Sequence, residues 1–132
     1  MSTRVLILLL TVMVPATAWT QIDYNKQFFN GKQLFREGKY NLAMETMKPV
    51  MVYDQKNAFA EYANFYYALA AYKQGYLAVS KDSFNQLKKL YPSWSSMSEV
   101  NFWLATIHFD QQEFFQGFKM LGLITDAKMV PT

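Results

Sequence analysis

The single histidine of this 132-residue chain, His108, is followed by Asp110 and Glu113. An imidazole beside carboxylates is the smallest set that supports general acid–base work or begins a metal site. His108, however, stands 37 residues after Ala71 and 74 after Leu34, and that column points to a structural, packed role. Met44, Met47 and Met51 recur at helical spacing; thioethers can hold a soft metal or form an adaptable binding surface, but the spacing reads as core. Ser95, Ser96 and Ser98 read as caps and linker. The chain has no Cys, which removes disulfides, thiolate zinc sites and cysteine nucleophiles together. Neither a phosphate loop, a nucleophile elbow nor a metal-ligand spacing occurs. The expectation is no catalysis, no cofactor and no metal.

Composition sets the frame in which these residues must be placed. Half the residues are apolar, 17% are charged, and there are only five Gly and four Pro. That is too apolar for disorder and too poor in Gly and Pro for a low-complexity chain. A net charge of +3 makes no strong basic stripe, so no nucleic-acid partner is expected. Residues 1–18 read as a signal peptide: Arg4 is the positive start, Val5 to Val14 is apolar except for Thr11, and Ala16-Thr17-Ala18 is a small-x-small cleavage pattern. Cleavage falls after Ala18 or after Thr20. At about 1.5 Å per residue the apolar run crosses only half of a roughly 30 Å hydrocarbon layer, so no stable span is expected. No Cys follows to carry a lipid. An exported product is expected, periplasmic or secreted, from a bacterium of the Gram-negative kind.

All 23 aromatics lie after residue 18, and they fall into columns of period 37. Phe28, Phe65 and Phe102 align, as do Phe29, Tyr66 and Trp103, and Phe35, Tyr72 and Phe109. Two columns of small residues accompany them: Gly31, Ala68 and Ala105, and Ala43, Ser80 and Gly117. Gly38 and Gly75 align with Gln112, and Met47, Phe84 and Leu121 form an aliphatic and aromatic column. Within each unit the apolar residues recur at helical spacing on either side of the Gly column, which predicts a helical hairpin per unit and no strand. Gly38 and Gly75 suit the left-handed close of a helix, Pro92 stops the helix ending at Tyr91, and Pro49 should kink or shorten its helix. Asn57 is expected to cap a helix from Ala58, and Ser96 with Glu99 to form a capping box before Met97. The organisation is a leader over 19–23, units over 24–60, 61–97 and 98–125, and a tail over 126–132.

The second unit resembles a tetratricopeptide repeat. Ala68, Gly75, Ser80, Phe84, Leu87 and Pro92 stand at the family's positions eight, fifteen, twenty, twenty-four, twenty-seven and thirty-two. The stretch YKQGYLAVSKDSFNQLKKLYP is its most specific piece. The first unit matches through Gly31, Gly38, Tyr40 and Ala43 without the closing Pro; the third has Gln112 in place of Gly. Less specifically, the chain is similar to helical repeats of outer-membrane assembly lipoproteins and cell-envelope adaptors. The resemblance implies an all-α fold of three stacked helix-turn-helix hairpins in a short right-handed solenoid. It also implies a concave binding face on the first helices, at positions two, five, nine, twelve and thirteen. Those positions carry Tyr62; Phe28, Phe65 and Phe102; Leu69; Phe35, Tyr72 and Phe109; and Arg36, Lys73 and Asp110. An aromatic ladder edged by cations suits a protein or peptide with apolar anchors and a carboxylate. Equally, the same rings are the ones that would pack between repeats.

Charge falls along the units, from six cations and three anions in 24–60 to two cations and four anions in 98–132. Repeat arrays need a covered end. That end implies either a partner such as a cell-envelope complex or a second copy on the C-terminal face, or else that this is the opening region of a larger exported solute-binding or enzymatic protein. The small columns make a direct test of register. Ala68→Leu is expected to overpack the hairpin by about 1–3 kcal/mol, read as a lowered melting point against an exposed-site control.

Overall fold

The structure is a computed structural model and describes residues 21–124. The expected signal segment 1–18 with its cleavage site, and the expected tail 126–132, lie outside the described residues. Among those residues the chain is all-α: α1 (Tyr24–Arg36), α2 (Tyr40–Met47), a 3₁₀ turn (Lys48–Val50), α3 (Ala60–Lys73), α4 (Leu77–Leu90), α5 (Met97–Asp110) and α6 (Phe114–Leu121). None of these helices is long and apolar enough to cross a membrane. Each helix packs against the next one in sequence.

The same turn closes α1, α3 and α5. After α1, the Gly38 amide donates to the Phe35 carbonyl (3.0 Å) and Lys39 to Leu34 (2.9 Å). After α3, Gly75 donates to Tyr72 and Tyr76 to Ala71; after α5, Gln112 donates to Phe109 and Glu113 to His108. This paired pattern is the Schellman close, and it requires a left-handed residue at its centre. Gly38 and Gly75 supply it with φ of 73° and 78°. Gln112 takes the same conformation at φ 60°, alone among described non-glycine residues.

The turns fix which columns meet. Gly31, Ala68 and Ala105 on the first helices are buried, as are Ala43, Ser80 and Gly117 on the second. The Ser80 hydroxyl donates to the Ala68 carbonyl at 2.8 Å in the interior, so a buried hydroxyl is satisfied while the backbones stay close. A methyl at Gly31 would stand 2.8 Å from Met47 Cε, and one at Gly117 would stand 2.7 Å from Phe109 Cε1. Phe65, Leu69, Phe84, Leu87, Val100, Leu104 and Ile107 form the largest core cluster, spanning α3, α4 and α5. A second joins Phe28, Met47, Val50 and Ala63.

Pro49 ends α2 at Met47 and leaves one 3₁₀ turn, because proline cannot donate within the helix. α4 stops at Leu90, ahead of Pro92. Two expected caps are not formed. α3 begins at Ala60 rather than Ala58, with Phe59 at the cap position. Asn57 instead is buried and clamps the preceding loop: its amide donates to the carbonyls of Val50 (2.7 Å) and Val52 (2.9 Å), and its oxygen accepts from the Phe59 amide. Ser96 does cap α5 by position, but its side chain makes no capping bond, and Glu99 gives its backbone amide to Ser96 rather than its carboxylate.

A left-handed L-residue costs about 1–2 kcal/mol. Gln112→Gly is therefore expected to raise stability by about 1 kcal/mol after the added entropy of glycine, and Gly75→Ala to lower it; chemical denaturation midpoints measure both.

Candidate functional site

The residues expected to line a groove divide into two sets. Phe28, Phe65 and Leu69 are only 3%, 5% and 8% exposed, and are packing residues rather than groove residues. Phe28 stacks on Phe59 with ring centres 4.5 Å apart and shares a cluster with Met47 and Val50. Phe65 meets Phe84 edge-on at 5.6 Å. In the first two pairs this column points across at the second helix, where the short turn brings the two backbones close. Phe102, third in that column, is half-buried and leans edge-on against Trp103 at 5.5 Å.

Of the remaining positions, Phe35, Arg36, Tyr72, Lys73 and Phe102 gather around two rings outside the expected set, Tyr66 and Trp103, whereas Tyr62 and Phe109 pack elsewhere. Tyr66, half-buried, is met edge-on by Phe35 at 5.3 Å and has Lys32 Nζ 5.8 Å from its ring centre. Burial raises the Tyr66 hydroxyl above its ordinary range, opposed by the charge of Arg36. Trp103 is met by Tyr72 at 5.1 Å and by Lys73 Nζ at 5.7 Å from its ring centre. The Tyr72 hydroxyl donates to Asp110 Oδ2 at 2.8 Å; burial first, and that bond second, hold its titration above the ordinary value. Tyr62 is exposed and edge-on to Trp94 at 5.2 Å. Phe109 fills the space over Gly117 and meets Phe118 at 5.2 Å. Thus α1, α3 and α5 share a face on which Tyr66 and Trp103 lie under lysines, with Arg36 exposed beside them.

The signal for this face was in the sequence. Tyr66 and Trp103 belong to the Phe29 column, one residue after the buried Phe28 column. One step along a helix turns the side chain by about 100°, enough to move from the pair interface to the outer face.

His108 pairs through Nδ1 with Glu113 Oε2, and not with Asp110. Lys81 of α4 reaches the same carboxylate at 3.3 Å and the Gln111 side chain at 2.7 Å. The cluster ties α4 to the α5–α6 turn, at the place where Gln112 is strained. Met44 and Met47 are buried and Met51 is half-buried, each within reach of core clusters. Compared with models of known protein families and with curated proteins, the chain matches none.

Glu113 carries a measurable consequence. The bond from His108, then the bond from Lys81, lowers its carboxyl below the ordinary 4.5. A depressed folded value gives stability that is complete above the unfolded value and is lost as pH falls through the folded one. Wild-type protein should therefore lose more stability than Glu113→Gln between about pH 5 and pH 3, and be the more stable of the two above that window, in paired thermal melts.

Proposed function

We propose that the chain is an exported helical-repeat adaptor, built as a tetratricopeptide-like solenoid, that binds a protein or peptide on the α1–α3–α5 face and performs no chemistry. The observation that carries this reading is the pair of half-buried rings, Tyr66 and Trp103, each with a lysine poised over it. Such rings offer broad apolar contact at low entropy cost, and the cations supply electrostatic selection. Of the charges around them, Lys32, Arg36 and Lys73 are positive and outnumber Glu99, which also acts on Tyr66, and Asp110, which is engaged by Tyr72. The excess favours a ligand with apolar side chains and carboxylates, held in extended or helical form.

The recurring Schellman turns support the solenoid reading, since the left-handed residues at 38, 75 and 112 are each 37 apart. Identical turns at a fixed interval are what a stacked array requires. The export reading rests on Arg4, the Val5–Val14 run and Ala16-Thr17-Ala18.

Selection of a random peptide-display library on the purified protein tests the proposal. Enrichment of acidic, aromatic or aliphatic sequences is expected. A synthesised winner should bind at least about tenfold more weakly to Trp103→Ala and to Tyr66→Ala, a loss of about 1.4 kcal/mol or more. The surface change Lys73→Glu should weaken it without altering helicity by circular dichroism. Winners indifferent to all three substitutions would refute the face.

A further inference from the structure

The side of α3 away from Tyr66 carries a second concavity. Between the loop that follows α2 and one stripe of α4 lies a groove of about 440 Å³, with Asn64 of α3 in its lining. Two steps along a helix, a turn of about 200°, separate Asn64 from Tyr66, so this groove and the α1–α3–α5 face are distinct. Asn64 is only 5% exposed, and its amide protons are spent: Nδ2 donates to the carbonyls of Met51 (3.1 Å) and Ala60 (2.7 Å). Its oxygen makes no hydrogen bond. Among the described residues the side-chain atom sealed from solvent without a partner is Asn101 Oδ1. The Asn64 oxygen is therefore not sealed, and it meets the groove as an acceptor without a donor.

The walls continue the same chemistry. Asp82, Ser83 and Gln86 line the groove from α4, and their side chains make no hydrogen bond or ion pair. Lys81, the cation next to Asp82 in sequence, is held instead by Gln111 and Glu113. No lysine or arginine lines the groove, and Met51, Val52 and Leu90 give it an apolar side. Tyr53, 82% exposed, follows Val52, and Tyr91 follows Leu90. Burial first, then the charges of Glu61 and Tyr53, raise the Tyr91 hydroxyl above its ordinary range, which sets these three side chains near one another. The acidic character is peculiar to this level of the array. At the next period Met51, Val52 and Asp82 give way to Lys88, Lys89 and Lys119, and burial, then the charge of Lys119, lowers Lys88.

We infer that this groove takes an arginine side chain of a partner peptide, with the guanidinium on the Asp82 carboxylate and the Asn64 oxygen and the methylene stem along Met51, Val52 and Leu90. A guanidinium carries N–H donors and no acceptor. The groove offers the converse: a free carboxylate, a free amide oxygen, and Ser83 and Gln86 as further acceptors. A guanidinium is also more weakly hydrated than an ammonium, so it gives up water at lower cost in a partly enclosed site. Its planar fork can meet a carboxylate through two parallel bonds. Tyr53, Tyr91 and Glu61 add rings and a negative charge that attract the same cation. The groove takes the opposite charge to the α1–α3–α5 face, and the inference stands whether or not that face binds peptide.

Titration of the nitrogen-15-labelled protein with acetyl-Leu-Arg-Leu-amide, followed by two-dimensional NMR, tests the assignment; the citrulline peptide, a neutral near-isostere, is the control. The arginine peptide should give saturable shifts at the Asn64 side-chain amide and the Ser83 and Gln86 backbone amides, and bind at least about fivefold more tightly than the citrulline peptide. Asp82→Asn should weaken it by a similar factor, Asp82→Lys should abolish saturation, and Ser83→Asp should tighten it, all with unchanged far-ultraviolet dichroism. Trp103→Ala, on the other face, should leave the titration as it is. Equal binding of the two peptides overturns the inference, as does indifference to Asp82→Lys. So do shifts confined to the α1–α3–α5 face, or none at millimolar peptide.

Discussion

A left-handed residue three times over, at 37-residue intervals, is the constraint from which the other features descend. It ends each first helix by returning two amides to that helix's own carbonyls, and leaves only three residues before the next helix starts. With so short a connection the two helices must lie side by side, and small residues must stand where they touch. Ala68 against Ser80, and Gly31 against Met47, are consequences of that turn as much as causes of the pairing. At Gln112 the third turn keeps the backbone even though the side chain opposes it. Three neighbours offset the strain there: His108, Glu113 and Lys81 tie both sides of the turn and the helix behind it. A local penalty of about 1–2 kcal/mol is tolerated because the geometry it secures governs the whole pair.

Residues whose backbone or volume admits one role were legible from sequence. Gly38 and Gly75 suit left-handed closes, Pro49 an early stop and the small columns points of contact, and each is placed so. Residues with several roles were not. Asn57 can cap a helix or clamp a loop; three backbone groups of the segment from Val50 to Phe59 recruit it before the helix does. Ser96 has the right position, yet its own backbone, rather than its hydroxyl, takes the Glu99 amide. Local sequence cannot weigh such competing acceptors, because the decision depends on how neighbouring segments pack.

The α1–α3–α5 face shows the same division more sharply. Register located every aromatic column but did not say which of two adjacent columns faced outward. Phe28 and Phe29 are both phenylalanine, and so give no compositional hint. The later units do: the column of Phe28 stays phenylalanine at 65 and 102, while that of Phe29 becomes Tyr66 and Trp103, rings with a polar edge that suits a half-wet position. Lysines accompany that second column at both places. Amphipathic aromatics with cations mark a surface, and plain phenylalanine facing a small-residue column marks a core.

The polarity of the two ends follows from the same logic. A helical hairpin cannot bury its faces alone, so the outer faces of the first and last described helices are where composition should differ from the interior ones. α1 carries Lys26 and Gln33, both exposed, where α3 buries Ala63 and Ala70, and so presents polar groups to water. The last described helix, α6, shows the reverse, with exposed Phe118 where α4 has Lys81, beside exposed Phe114 and Phe115. Three exposed phenylalanines on an eight-residue helix are costly to keep in water, at roughly 25 cal/mol per Å² of apolar surface. Among the described residues the first helix thus turns polar side chains outward and the last turns phenylalanines outward, so the two ends differ in character.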